Sequence, residues 1–487
     1  MSNSLPSTWA IVSLLDVAPL VPTGVPNFTG EVEYYSTGSV QEGGLSSEGR
    51  YTFESRPSRA NRWTKPGDVL QARMQGTSKP LLVNASIADK LFSTGFIQLR
   101  PDPRFCNPGF LRHYIASKVF LDDRDSLATG STQIALTDAG VRGLEIPLAP
   151  LNEQRRIAAK LDILLGKVDE CQKRLAKIPM ILKRFRQAVL AAACSGLLTE
   201  DWRGKNSDVQ PPAVEDEGDG TPYELPYGWK QARLGALTSL VTSGSRGWAK
   251  YYADSGSIFI RAQDINGDAL DLDNVAHVRL PNRVEGQRTR VQQHDILVTI
   301  TGANVAKSAL VNQILKDAYI NQHVALVRLL DTRLSQFLYL WIVSPVHGRK
   351  QWLDAAYGQG KPGLNLDNIR GLFVGLPPFT EQQEIVRRVE AMYAVADQIE
   401  ARFVKAKTRV DQLTQSLLAK AFRGELVPTE AELARREGRS YETASELLAR
   451  IKSNFGKKMR KILQSLRREE TGEVNSHEKI YWEQKLG

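Results

Sequence analysis

Pro150-Leu151-Asn152-Glu153-Gln154-Arg155-Arg156-Ile157 opens a helical pattern that runs to Leu198. Apolar residues follow at Ile157, Leu161, Leu164, Val168, Cys171, Leu175, Ile178, Leu182, Phe185, Val189 and Ala192. The steps alternate four and three, the rhythm of a coiled-coil seam. Asn152 suits an N-cap, with Glu153 in the first turn. Glu153-Gln154 recurs as Glu381-Gln382, an offset of 228 (381 − 153). At that offset Ile157 maps to Ile385, Leu161 to Val389, Leu164 to Met392, Leu175 to Phe403, Leu182 to Val410 and Gly196 to Gly424, without a gap. The chain therefore reads as two half-molecules, each ending in a long helix. Pro179 lies inside the first helix, where it removes a hydrogen bond and kinks the chain. Its counterpart is Lys407, so the two helices should not be equally straight. Gly196 and Gly424 are natural stops.

The globular parts repeat as well. Leu225-Pro226-Tyr227-Gly228-Trp229 restates Leu5-Pro6-Ser7-Thr8-Trp9, and His294-Asp295-Ile296-Leu297 restates Gly67-Asp68-Val69-Leu70. Gly358-Gln359-Gly360-Lys361 restates Gly130-Ser131-Thr132-Gln133. Between these anchors the halves share little. The expected organisation is a globular unit over 1–149, a helical region over 150–202, and a linker over 203–222, rich in Pro, Gly and acid. A second globular unit over 223–377, a second helical region over 378–427 and a basic helical tail over 428–487 follow. The fold class is α+β, with two repeated mixed units and two long helices. Strands are expected after Pro66-Gly67, over Leu81 to Val83 and over Gly95 to Leu99, and a helix over Phe110 to Val119.

The 487 residues carry a net charge of +10 and a pI near 9.3, which favours a polyanionic partner, nucleic acid before a membrane surface. Cys106, Cys171 and Cys194 form no CxxC pair, so neither a disulfide framework nor structural zinc is expected, and a reducing cytoplasm is. Cys171 in the seam should pack as a small hydrophobe. The start, Met-Ser-Asn-Ser-Leu-Pro-Ser-Thr-Trp, lacks a secretory pattern, and no apolar run reaches membrane-spanning length.

Catalytic constellations are scarce. Asn107-Pro108-Gly109-Phe110 is similar to the Asn-Pro-Pro-Phe/Tyr loop of amino-methyltransferases but lacks the second proline, and no Gly-rich cofactor loop accompanies it. A turn before a helix explains it as well. Gly358-Gln359-Gly360-Lys361 lacks the Gly-Lys-Ser/Thr ending of a phosphate loop, the six histidines are scattered, and no GxSxG appears. The chain reads as non-catalytic, with no metal or cofactor of its own. The remaining signal is basic and amide-rich. Arg56, Arg59, Arg62, Lys65, Arg73 and Lys79 cluster with Tyr51, Phe53 and Trp63 interleaved; Arg246, Lys250, Arg261, Gln263, Arg288, Arg290, Asn304 and Lys307 do likewise in the second unit. Lys and Arg neutralise phosphates, while Arg, Asn and Gln also bond base edges. For any one of them the alternative is plain solvation.

Pro150-Leu151-Asn152-Glu153-Gln154-Arg155-Arg156-Ile157, its counterpart Pro378-Phe379-Thr380-Glu381-Gln382-Gln383-Glu384-Ile385, and the endings Ser195-Gly196-Leu197-Leu198 and Phe422-Arg423-Gly424-Glu425 resemble the conserved helical regions of type I restriction–modification specificity subunits. The resemblance spans essentially the whole chain. It implies two target-recognition domains, each reading half of a split duplex-DNA sequence, and two helices paired as an antiparallel coiled coil that acts as a ruler. It further implies two modification subunits, which carry S-adenosylmethionine and methylate adenine, and restriction subunits that can join. The partner and coiled-coil positions would include Glu153, Gln154, Ile157, Leu161, Leu164, Glu381, Gln382, Ile385, Val389 and Met392. A self-contained DNA methyltransferase with a fused reader, or a coiled-coil adaptor with no DNA role, are the alternatives. The first needs a cofactor loop, and the basic clusters count against the second.

Overall fold

The computed structural model describes residues 5–454, apart from 42–43, 132, 207–208, 211, 213, 215–222, 245, 282–286 and 359–361. It divides into two compact units, one of Met1–Leu175 with Ala406–Gly487 and one of Ala176–Lys405. Each unit therefore combines a globular part, the start of the helix that follows it and the end of the other repeat's helix.

In the first unit, strand Ala10–Ser13 pairs antiparallel with Glu145–Leu148, bringing the beginning and end of the globular part together. A three-stranded sheet has Val69–Ala72 in the centre, flanked by Phe96–Leu99 and Leu81–Leu82. In the second unit Lys230–Arg233 pairs with Phe373–Leu376 in the same way. There the central strand Ile296–Thr299 lies between Val324–Leu329 and Ser308–Leu310, with Thr238–Ser243 added outside. The turn into each central strand is also repeated. Asp68 accepts from Lys65 N at 2.8 Å and is gripped by Arg100 at 2.6 and 2.8 Å. Asp295 accepts from Gln292 N at 2.7 Å and is gripped by Arg328 at 2.9 and 2.7 Å. Asn107-Pro108 is a helix start: Asn107 Oδ1 accepts from Phe110 N at 3.0 Å, and the helix spans Pro108–Ile115. It ends four residues before the expected Val119, where Ser117 caps a second helix, Lys118–Ser126.

The Glu-Gln pairs lie inside their own units. Glu153 is fully buried and accepts from Trp9 Nε1 at 2.9 Å and from Glu430 N at 2.8 Å. Glu381, equally buried, accepts from Trp229 Nε1 at 3.0 Å, from Thr199 Oγ1 at 2.7 Å and from Arg203. Gln154 and Gln382 donate to the carbonyls of Ala149 and Pro377, both at 2.8 Å. These four side chains therefore serve the fold, and a partner cannot reach them. The helix-ending glycines complete the clasp. Gly196 and Gly424 have φ of 75° and 76°, and a Cβ on them would lie 2.4 Å from Pro226 and 2.3 Å from Pro6. Only glycine suits both the backbone and the space. The repeated Leu-Pro-x-x-Trp thus has a mechanical meaning: the proline meets a helix end and the tryptophan bonds a helix start.

Pro179 does more than kink the first helix. Two helices result, Leu151–Leu175 and Ile178–Cys194, with the proline in the first turn of the second, where its missing N–H costs nothing. The second repeat's helix, Phe379–Phe422, is unbroken over 44 residues. The helices pair antiparallel within each unit. In the first, Gln172 bonds Asp411 at 3.2 Å while Leu161 shares a core with Leu418 and Phe422. In the second, Arg186 bonds Asp397 and Glu400 at 2.7 and 2.8 Å, while Val189 and Ala193 pack with Val386 and Val389. Ile157, Leu161, Ile385 and Val389 are buried as a seam requires; Leu164 is half-buried and Met392 is 37% exposed. Cys171 is exposed, contrary to the seam pattern, because Gln172 is the residue that faces the partner helix there. Two helices meeting along one line bury fewer positions than the rhythm offers.

Two boundaries differ from expectation. Helix Glu200–Lys205 carries Arg203 into the Glu381 network, so the chain is still helical over the first three residues of the expected 203–222 linker, most of which lies outside the described residues. Helix Glu430–Glu437 docks on the first unit through buried Glu430, paired with Arg156 at 2.6 Å and Arg439 at 2.7 Å. Leu447 and Ile451 lie in that unit's core. The Lys457 to Arg468 charge run lies outside the described residues. Among the described residues no helix is long and apolar enough to cross a membrane.

His347 provides a pH test of the second unit. It is buried beside Tyr223 and Trp341, its Nδ1 lies 3.0 Å from Ser344 Oγ, and burial pushes its pKa from 6.5 down to about 4. A depressed folded pKa gives stability that is present above pH 6.5 and lost as pH falls towards 4. Urea unfolding between pH 7 and pH 4.5 should show a loss of roughly 2 kcal/mol that His347→Gln lacks. Equal losses in both proteins would remove His347 as the cause.

Candidate nucleic-acid interface

The end of the central strand carries the same loop framework in both units. In the first, Arg73 N bonds Gly95 O at 2.9 Å and Gln75 N bonds Ile134 O at 3.0 Å. In the second, Ile300 N bonds His323 O and Gly302 N bonds Pro362 O, both at 2.9 Å. Bridges tie Met74 and Thr129 to Ala135 in the first unit, and Thr301 and Tyr357 to Gly363 in the second. Three loops therefore meet at one sheet end, twice, at nearly constant offset. The side chains they present differ. The first unit offers Met74, Gln75 and Ile134, with Arg59 next to them through a 2.9 Å bond from Thr94 N to Arg59 O. The second offers Asn304, Gln322, His323 and Tyr357, the last 61% exposed. Gly244 passes so close to this cluster that a Cβ would lie 2.1 Å from the carbonyls of Ile320 and Asn321, and it leads the chain towards exposed Arg246. Lys307 is half-buried and accepts on its carbonyl from Thr299 N at 2.8 Å, which places it at the same sheet end. Exposed Arg288 is there too, its Nε donating to Thr242 Oγ1 at 3.1 Å.

The other expected residues separate by burial. Arg59 and Lys65 are exposed; Arg56 is half-buried, its guanidinium 3.9 Å above the Phe53 ring. Lys250 is exposed and lies 5.0 Å over Tyr251, and Gln263 is exposed. Arg290 pairs with Asp317 at 2.9 Å on an open surface. Arg62 is a correction. It is 1% exposed and donates to Val21 O at 3.0 Å, and burial, aided by Arg73, pushes its pKa down to about 10. It cannot meet a phosphate. Arg73 bonds the carbonyls of Phe96 and Leu136 and pairs with Asp138; Lys79 donates to Val40 O; Arg261 holds Asp264 at 2.8 and 3.0 Å. These four cations support loops. Short strands leave many backbone carbonyls unpaired, and long cationic side chains are suited to reach them. Gln75 and Gln322 escape a reading by charge because their amides are neutral, and His323 is one of the scattered histidines that the sequence alone reads as structural.

A family model, the type I restriction modification DNA specificity domain, matches residues 6–180 and 229–405. The specificity subunit of the type I restriction enzyme EcoBI from Escherichia coli is 39% identical over 377 residues, spanning 75% of this chain and 74% of its own. That of StySPI from Salmonella potsdam is 34% identical over 336 residues, 67% of each chain. The crystal structure of the HsdS subunit from Thermoanaerobacter tengcongensis has a similar fold, with a TM-score of 0.56 at 22% identity over 87% of this chain and 98% of that one. A chain from work on complex assembly and conformational transition of the type I R-M system reaches a TM-score of 0.66, also at 22% identity, over 87% of this chain and all of that one.

Proposed function

The chain belongs to the family of type I restriction–modification DNA specificity subunits, and from that premise we propose that its two units each read one half of a split duplex-DNA sequence. It is a DNA-recognition subunit of such a system. The observation that carries the split reading is the loop framework itself: one geometry, built twice, with different side chains at its tips. Constant scaffold with variable tips is what two independent readers need. The paired helices hold the readers, and two modification subunits that carry S-adenosylmethionine dock on them, with restriction subunits able to join. Supporting this, the helices of the second unit expose Met180, Ile181, Phe185, Val395, Ile399 and Val404. Apolar groups left in water at such density mark a surface for a protein partner. The chain itself supplies DNA recognition and no catalytic group.

Two results test this reading. Highly purified chain alone should bind DNA weakly and transfer no methyl group, and adding modification subunits should produce methylation; transfer by the lone chain would contradict it. Within the complex, the exposed cations should set the salt dependence. Each phosphate contact adds about 0.9 to the slope of log affinity against log salt. Arg59→Ala with Arg246→Ala should therefore flatten the slope by up to about 2, while Arg62→Met, which removes the charge, should lower thermal stability and leave the slope alone. A flatter slope for Arg62→Met in folded protein would mean that the buried arginine does reach DNA.

A further inference from the structure

We propose that Gln322 is a base-reading residue of the second half-site, that it reads adenine, and that His323 and Thr301 are positioning residues that aim its amide. The inference rests on the assignment of the loop cluster to DNA and deepens it. Gln322 is exposed at the tip of the loop before strand Val324–Leu329, and its Nε2 lies 3.2 Å from His323 Nε2. His323 Nδ1 lies 2.6 Å from Thr301 Oγ1. An amide nitrogen only donates, so His323 Nε2 is the acceptor. The ring proton then sits on Nδ1 and is donated to the Thr301 hydroxyl. The histidine backbone is fixed on both sides, with its N–H bonding Asn321 Oδ1 at 3.0 Å and its carbonyl accepting from Ile300 N at 2.9 Å.

With one amide hydrogen held by the ring, Gln322 keeps one N–H and its carbonyl oxygen, side by side and exposed. In the major groove adenine presents one acceptor, N7, beside one donor, the N6 amino group. The two patterns match. Guanine presents two acceptors, which the glutamine carbonyl would repel. In the first unit the corresponding residues are Thr94 and Gly95, which carry no amide, so this contact belongs to one half-site alone.

The test uses the complete complex with its modification subunits, whose methylated sites define the target, followed by binding to that target and its single-base variants. Gln322→Ala should lose about tenfold to a hundredfold discrimination at one A·T pair of the second half-site, with the salt slope unchanged. Gln322→Glu, an acceptor only, should shift preference there towards cytosine, whose amino group donates. Thr301→Val should weaken discrimination at the same pair, and Thr301→Ser should restore it. An unchanged motif in a folded Gln322→Ala complex would overturn the inference, as would a loss of affinity that is uniform across all sequences, the mark of a contact to the phosphate backbone. The parent reading fails separately, when exchange of a whole globular part leaves both half-sites as they were.

Discussion

Glu381→Ala is expected to destabilise the second unit by about 3 kcal/mol, a large fraction of a domain's total stability. The carboxylate is fully buried and takes three partners, Trp229, Thr199 and Arg203. Alanine leaves the indole N–H and the hydroxyl without acceptors and the guanidinium without its counter-charge. Each uncompensated buried polar group costs about 1–3 kcal/mol. Arg203, whose side chain is 21% exposed, recovers part of its loss by turning to water. Glu381→Gln keeps an acceptor and should cost less than half as much. Because the clasp joins the helix start to strand Lys230–Arg233 through Trp229, the loss should appear in the unfolding of the whole second unit. Urea denaturation followed by tryptophan fluorescence reads it directly. A loss below about 1 kcal/mol for alanine would mean that the clasp is an ornament of the fold.

The second large effect concerns spacing. One heptad inserted after Cys171 and another after Asp411, positions brought together by the Gln172–Asp411 hydrogen bond, should keep both helices in phase. Seven residues lengthen a helix by about 10 Å. Duplex DNA rises about 3.4 Å per base pair, so the spacer between half-sites should grow by roughly three base pairs while the bases read stay the same. Three pairs also rotate one half-site by about a third of a turn, given about 10.5 pairs per turn. Helix supercoiling follows only part of that rotation, so affinity should fall as well. Four residues inserted in one helix alone should cost stability instead, since the seam loses phase. An unchanged spacer in a folded, active double insertion would rule out the helices as a ruler.

The architecture was legible because it is written twice. The 228-residue offset located both helix starts, and the Gly196 and Gly424 stops follow from the left-handed backbone that only glycine adopts freely. The meaning of Leu-Pro-x-x-Trp was not legible. Nothing along the chain says that Pro6 packs on Gly424, because that contact is set in three dimensions. The site was half legible. Charge located Arg59 and Arg246, but charge counting cannot separate an arginine that meets solvent from Arg62, which serves a carbonyl in the core. Gln75, Gln322 and His323 became visible only when backbone bonds placed three distant loops at one sheet end.

The claim that two units read two half-sites independently is tested most directly by exchange. Residues 5–149 are replaced by the corresponding part of a relative with a different target, keeping Pro6 and Trp9, which contact Gly424 and Glu153. The reconstituted complex is then allowed to methylate random-sequence duplex DNA, and the modified sites are sequenced. One half-site is expected to change to the donor's, while the other half-site and the spacer stay as they were. Change in both halves, or in neither, would contradict that claim.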